Sequence, residues 1–188
     1  MLTLDDLHSF LDTNDVRIVH FSHHAEMRAG VVFPDDLQAA IANRDKWNLS
    51  CCAIWPSHKM ALPGDVGVLF ELSNPNQILS VFSGDSGSHQ LRDGPDFSGG
   101  DAPSTDALRS SLKVPKGAYN EWRIRGASVA GIYINNPAQL NAKCKMQFEV
   151  NGEPHEVISS ETIQVDHVRA SFPDQPLFTH KNGNFVEI

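Results

Sequence analysis

Apolar residues recur at helical spacing from the first residues of the chain. Leu4, Leu7, Phe10 and Leu11 lie three and four apart, and Thr3 and Asp6 stand at capping-box distance, predicting a short helix. VRIVHF (16–21) is β-branched and of strand length. Pro34 then opens PDDLQAAIANR. A proline in the first turn, two acids behind it, and Leu37, Ala40 and Ile41 on one side predict a second helix. SCCAIW (50–55), DVGVLFEL (65–72) and QILSVF (77–82) predict strands, separated by Pro56, Pro63-Gly64 and Asn74-Pro75-Asn76.

The apolar pattern stops over residues 83–106, which are rich in Gly, Ser, Asp and Pro. So long a polar stretch inside a compact domain predicts a mobile loop beside a functional cleft rather than a linker. Residues 1–188 are thus expected to form one domain. A short helix is expected near 105–112. AYNEWRIR (118–125) and VAGIYI (129–134) predict strands joined by a tight turn at Gly126, and Asn151-Gly152 signals a type I′ hairpin. After irregular chain around Pro173 and Pro176, NFVEI predicts a last strand. The expected class is α+β, mostly antiparallel, with short helices near the N-terminus.

Of the 188 residues, 40% are hydrophobic and 20% charged, which excludes a disordered tail, a collagen or a coiled coil. No apolar run approaches the roughly 18 residues of a spanning helix, so no membrane partner is expected. The acidic N-terminus lacks the basic region of a signal peptide, implying a protein that is cytoplasmic or delivered into a target cell by another route. Three cysteines, two of them the neighbours Cys51 and Cys52, give neither a disulfide framework nor a CxxC zinc pair.

The net charge of −8 is unevenly spread. Between Ala107 and Lys145 seven basic residues, Lys113 among them, face one acid, Glu121, while the rest of the chain carries −14. One reading is a solvated strand surface; the other is a local anion site. Alternation along 118–125 puts Tyr119, Glu121, Arg123 and Arg125 on one face, and Ala118, Asn120, Trp122 and Ile124 on a second, packed face. A cross-strand salt bridge would also account for the acid.

His20, His23 and His24 lack the spacing of a zinc-binding helix, so no metal is expected. One of them is a candidate hydrogen-bond donor to a ligand. Ser80, Ser83, Ser86 and Ser88 accompany Gly84 and Gly87 in a run able to offer amides to an anion. The GDSG within it lacks a protease's companion residues. No GxGxxG or P-loop motif is present.

VHFSH at the end of a strand, the serine-rich middle segment and YNEWRIRGASVAGIYI together resemble the ADP-ribosyltransferase superfamily, in particular its histidine-containing branch of DarT-type toxins. The match covers about residues 16–136. It implies a split antiparallel β core that clasps NAD, the substrate, without a Rossmann motif. His20 would then hydrogen-bond the NAD ribose or amide region, and Ser22 would be the small hydroxyl residue behind it. Glu121 would hold the nicotinamide-ribose 2′-hydroxyl as the catalytic carboxylate. Ser80 or Ser83 would fill the middle motif, Tyr119 or Tyr133 would stack on nicotinamide, and Arg123, Arg125 or Lys113 would neutralise the pyrophosphate. On this reading His20 and Glu121 should converge on one cleft. Tyr119 stands where arginine-modifying members carry Glu or Gln, implying an acceptor other than arginine. A macromolecule such as a nucleic acid or protein is then the acceptor of a toxin or effector, and an antitoxin or immunity protein is a further expected partner.

Two alternatives remain. HFSHHAEMRAGVVFPDDLQAAI also resembles the opening of small ribonuclease toxins of the BrnT/RelE kind, where His and Arg would cleave RNA. The other is a non-enzymatic binding module in which Glu121 is structural.

Overall fold

The computed structural model describes residues 2–21, 25–28, 31–33, 35–84 and 100–188. Helix α1 (Leu4–Thr13) starts as expected: Thr3 Oγ1 accepts from the Asp6 amide at 3.1 Å and Asp6 Oδ2 accepts from the Thr3 amide at 3.3 Å. The chain continues through β1 (Arg17–Phe21), β2 (Ala25–Arg28), β3 (Val31–Phe33), α2 (Asp35–Asn43), β4 (Leu49–Ile54), β5 (Val66–Glu71) and β6 (Ile78–Phe82). Then come α3 (Thr105–Ser111), β7 (Glu121–Ile124), β8 (Ser128–Ile134), β9 (Leu140–Val150), β10 (Glu153–Ile163), α4 (Val165–Ser171), β11 (Leu177–Lys181) and β12 (Asn184–Glu187).

The class is α+β with mostly antiparallel pairing. One sheet has the order β12-β11-β8-β5-β1-β4-β7-β6, and a second has β10-β9-β2-β3. The pairs β8–β11 and β2–β9 are parallel. Between β1 and α2, where no strand was expected, β2 and β3 pair as a hairpin. Sequence pattern missed α4, which at seven residues is just under two turns, and β11, a five-residue strand directly behind Pro176. Asn151 (φ 54°) and Gly152 (φ 83°) both adopt the left-handed turn that links β9 to β10. Of the expected loop 83–106, residues 85–99 lie outside the described residues. Its far end is tied down, because Asp101 bridges to Val81 through two backbone bonds.

β4 is the hinge of the large sheet. Its second half pairs with β1 (Arg17–Ile54 to Val19–Cys52), and its first half pairs with β7 (Leu49–Ile124 to Cys51–Trp122). The turn at Gly126 (φ 72°) is present, but β7 and β8 do not pair: β4, β1 and β5 stand between them. A flat sheet would separate them by about 19 Å at ~4.8 Å per strand. The four residues from Ile124 to Ser128 reach about 14 Å at most. The sheet must therefore curl away at β4, and the two sets of strands are split rather than coplanar.

Two apolar cores follow. The larger holds Leu7, Phe10, Ile18, Cys51, Val68, Leu108, Trp122, Ile124 and Ile132 under the helices. The smaller, on the other side of the sheet, holds Val19, Phe21, Cys52, Ile54, Leu69 and Tyr133. Trp122 is fully buried, stacks on Phe10 at 6.2 Å and donates to Ser111 Oγ at 2.8 Å, which fixes β7 to both α1 and α3. Burial of such a ring is worth about 4–6 kcal/mol before entropy.

Candidate functional site

Strand β7 is shorter than the expected 118–125, and the reason lies in one side chain. Asn120 Oδ1 accepts from the Ala53 amide (2.8 Å) and Nδ2 donates to the Ala53 carbonyl (3.0 Å). The amide group thus stands in for a backbone ladder beside β4. A further bond to the Ser111 carbonyl (3.0 Å) ties it to α3. The register that delivers Glu121 and Arg123 is set on both sides, by Asn120 and by Trp122.

Glu121 and Arg123 share the face opposite Trp122. That face was expected to be the unpacked one, yet all four residues of β7 are buried. Arg123 Nη2 lies 3.2 Å from Glu121 Oε1, so the ion pair runs along one strand rather than across two. The guanidinium carbon lies 5.6 Å from the Phe82 ring centre. Ser80, also buried, is the register partner of Arg123 on β6, and Phe82 is that of Glu121. On the other side Arg123 is opposite Ser50 of β4.

His20 meets the same residue from β1. Its Nδ1 lies 2.7 Å from the Ser50 carbonyl. A carbonyl only accepts, so Nδ1 carries the proton and Nε2 is the acceptor of the neutral ring. The β1–β4 register ends at Val19–Cys52, one residue before His20. The imidazole therefore spans the gap where the two strands part. On the other side of β1, glycine at position 67 lets β5 lie close to the His20 backbone. A Cβ there would lie 2.5 Å from Val19 Cγ1 and 2.7 Å from the His20 carbonyl oxygen.

The expected convergence of His20 and Glu121 on one cleft is not found; their strands only share a neighbour, β4. Ser50 is shared by the His20 ring and the Glu121–Arg123 strand, and β1 and β7 flank β4. The pleat of β1 puts His20 in phase with Ile18 of the large core, whereas Glu121 is out of phase with Trp122 of that core. The two side chains leave their strands toward opposite faces.

The remaining candidates divide clearly. Tyr119 is half-buried against the smaller core, on the side of Glu121. Arg125 lies just past β7 and is held locally, its Nε donating to Asn48 Oδ1 at 2.7 Å and its Nη2 to the same atom. Ser83 is exposed beyond the end of β6, and Lys113 is exposed past α3. Tyr133 is four strand positions from β7. Its ring stacks on Phe185 (6.0 Å) and meets Phe21 edge-on (5.9 Å), and burial pushes its hydroxyl up to about 12. Ser22, His23, His24, Ser86 and Ser88 lie outside the described residues.

Cys51 and Cys52 are both buried, on opposite faces of β4. Burial raises the Cys51 thiol well above its ordinary value, and the neighbouring Cys52 and Glu121 add to this, so it stays protonated. A separate cleft of about 290 Å³ opens beside α1, with His8, Asp12, Arg17 and Glu71 on its walls; none of the expected site residues lines it.

Sequence reasoning missed His58 and His180, whose rings come within 6.3 Å of each other beside Tyr133. They are 122 positions apart in the chain, and no local pattern joins them. No helix among the described residues is long and apolar enough to cross a membrane. Searches of protein-family models, curated proteins and solved structures found no match to the chain.

Proposed function

We propose that the protein is an NAD-dependent ADP-ribosyltransferase, a toxin or effector acting on a nucleic acid or protein target other than arginine. The observation that carries this reading is the seam at Ser50. There β1 and β4 separate, His20 takes the Ser50 carbonyl, and the adjoining strand carries the Glu121–Arg123 pair. A split sheet with a histidine strand and a late glutamate strand on either side of β4 supports the resemblance in the sequence, while the opposite facing of the His20 and Glu121 side chains counts against it.

The chemistry needs few groups. Loss of nicotinamide leaves positive charge on the ribose, and a carboxylate near that carbon stabilises the oxocarbenium-like state. Glu121 would supply that charge and orient the incoming nucleophile. Arg123 would orient the carboxylate and offer a cation to a phosphate. His20, its tautomer set by Ser50, would accept a ribose hydroxyl proton at Nε2.

The buried ion pair itself favours a second reading, in which Glu121 and Arg123 hold a binding module together. Calorimetric titration with NAD and nicotinamide release in the presence of nucleic acid or cell extract separate the two. Binding with release supports the transferase. Neither binding nor release, in a folded protein, leaves the structural reading; RNA cleavage without NAD points to the nuclease.

A further inference from the structure

The second sheet takes no part in the Ser50 seam, and its β9–β10 hairpin carries an open surface. The register sets Val150 opposite Glu153, Phe148 opposite His155 and Met146 opposite Val157. Opposed residues point to one side of a sheet, so Val150 and Phe148 share a face with Glu153, His155 and Val157. Phe148, Val150 and Val157 are 45%, 44% and 42% exposed; among the described residues the one other large apolar side chain so open is Leu4 on α1. The Phe148 ring stacks on the His155 ring (5.9 Å, 20°), which extends the apolar face across both strands. Apolar exposure grouped in this way marks an interaction surface.

The backbone beside that face is open as well. β10 is the last strand of its sheet, and among the described residues it pairs with β9 alone. Its 11 residues present an edge of about 36 Å. Edges of this length are usually blunted by lysine or proline. β10 holds Pro154 near its tip, but it has no lysine, and no proline from His155 to Ile163. The charge here is of one sign. From Met146 to Val168 the chain has the acids Glu149, Glu153, Glu156, Glu161 and Asp166, and no Lys or Arg. Glu149 and Glu153, near the tip, are exposed.

We propose that β10 is a docking edge for an extended basic segment of another protein, which joins the sheet as a further strand. Main-chain bonds along the open edge supply affinity, and alternate side chains supply specificity. On the Phe148 side the partner sets an apolar residue beside Val157 and a Lys or Arg beside Glu153. A second copy of this chain is the poorer occupant. Two β10 strands side by side bring Glu153, Glu156 and Glu161 against the same three acids, and like charges across a strand pair are destabilising. The same acids repel a nucleic-acid backbone.

The test is fluorescence anisotropy of the full chain with labelled peptides of about ten residues, the length of a long strand. One alternates Lys and Val, and one alternates Glu and Val. The Lys peptide should bind about tenfold more tightly than the Glu peptide. A Lys peptide N-methylated along its backbone keeps the charge but has no amide to donate, and should bind about tenfold more weakly. Phe148→Ser with Val157→Ser, and separately Glu153→Lys, should each weaken the Lys peptide by about three- to tenfold, whereas Asp5→Lys, the same reversal on exposed α1, should not. Circular dichroism checks the fold of each variant. Equal binding of the methylated peptide would overturn strand addition, and an equal loss in Asp5→Lys would reduce the attraction to the net charge of the chain. No binding of the Lys peptide by wild type would overturn the proposal outright. So would a dimer in sedimentation that the Phe148→Ser, Val157→Ser variant dissociates, since the face would then belong to a second copy. The peptide comparison needs no variant, so it decides even if a substitution unfolds the chain.

Discussion

Arg123 and Glu121 lie two residues apart on one strand, both about 2% exposed, with their charged groups 3.2 Å apart. A buried pair of this kind is costly to break, because the survivor keeps its charge without water. Arg123→Met should therefore lower stability by about 3–5 kcal/mol. Glu121→Gln keeps a hydrogen-bonding group and should cost less, and the double variant should recover part of the loss. Urea unfolding of the four proteins gives the coupling. Additive losses would mean that the two groups do not stabilise each other.

Gly67 governs how close β5 comes to His20. An alanine Cβ would meet Val19 Cγ1 at 2.5 Å and the His20 carbonyl at 2.7 Å. Gly67→Ala should cost about 1–3 kcal/mol, as overpacking does. It should also shift the His20 imidazole signals in the NMR spectrum more than those of His167, far along the chain on α4. A thermal midpoint within error of wild type would show that β1 and β5 give way freely.

His58 and His180 both titrate below their ordinary value, chiefly because burial disfavours the charged ring; His58 is pushed further by the His180 charge, while Asp15 and Arg17 act in opposite senses on His180. Their unfolded-state value is about 6.5. The folded protein thus binds fewer protons than the unfolded chain in this range. The stability they contribute is complete above pH ~6.5 and is lost as pH falls through the lower folded values. Unfolding free energy should drop between pH 7 and pH 5, and His58→Gln with His180→Gln should flatten that drop. An unchanged slope in the double variant would place the pH dependence elsewhere.

Local grammar was legible wherever one segment decided the outcome. The Thr3–Asp6 cap, the Asn151-Gly152 turn and the strands around Val19, Val68 and Trp122 were all visible in spacing alone. What spacing could not show was which strands pair. YNEWRIR and VAGIYI read as neighbours, yet three strands lie between them because β4 takes two partners. The alternation in β7 located Glu121 and Arg123 on one face. It gave no warning that this face is buried too, since charged residues buried as a pair carry the same pattern as charged residues in water. His58 and His180 were invisible because nothing local joins them.

The most direct test of the proposed function is nicotinamide release from labelled NAD by wild type and Glu121→Gln, compared below the unfolding midpoint of both proteins with nucleic acid and cell extract as acceptors. The exchange keeps size and hydrogen-bonding reach and removes only the charge opposite the developing cation. Release should fall by about 10²–10³. NAD affinity should change little, because the ground-state ribose bears no such charge. Equal release by the two folded proteins, or no release by wild type with any acceptor, would contradict the assignment of Glu121 as the catalytic carboxylate.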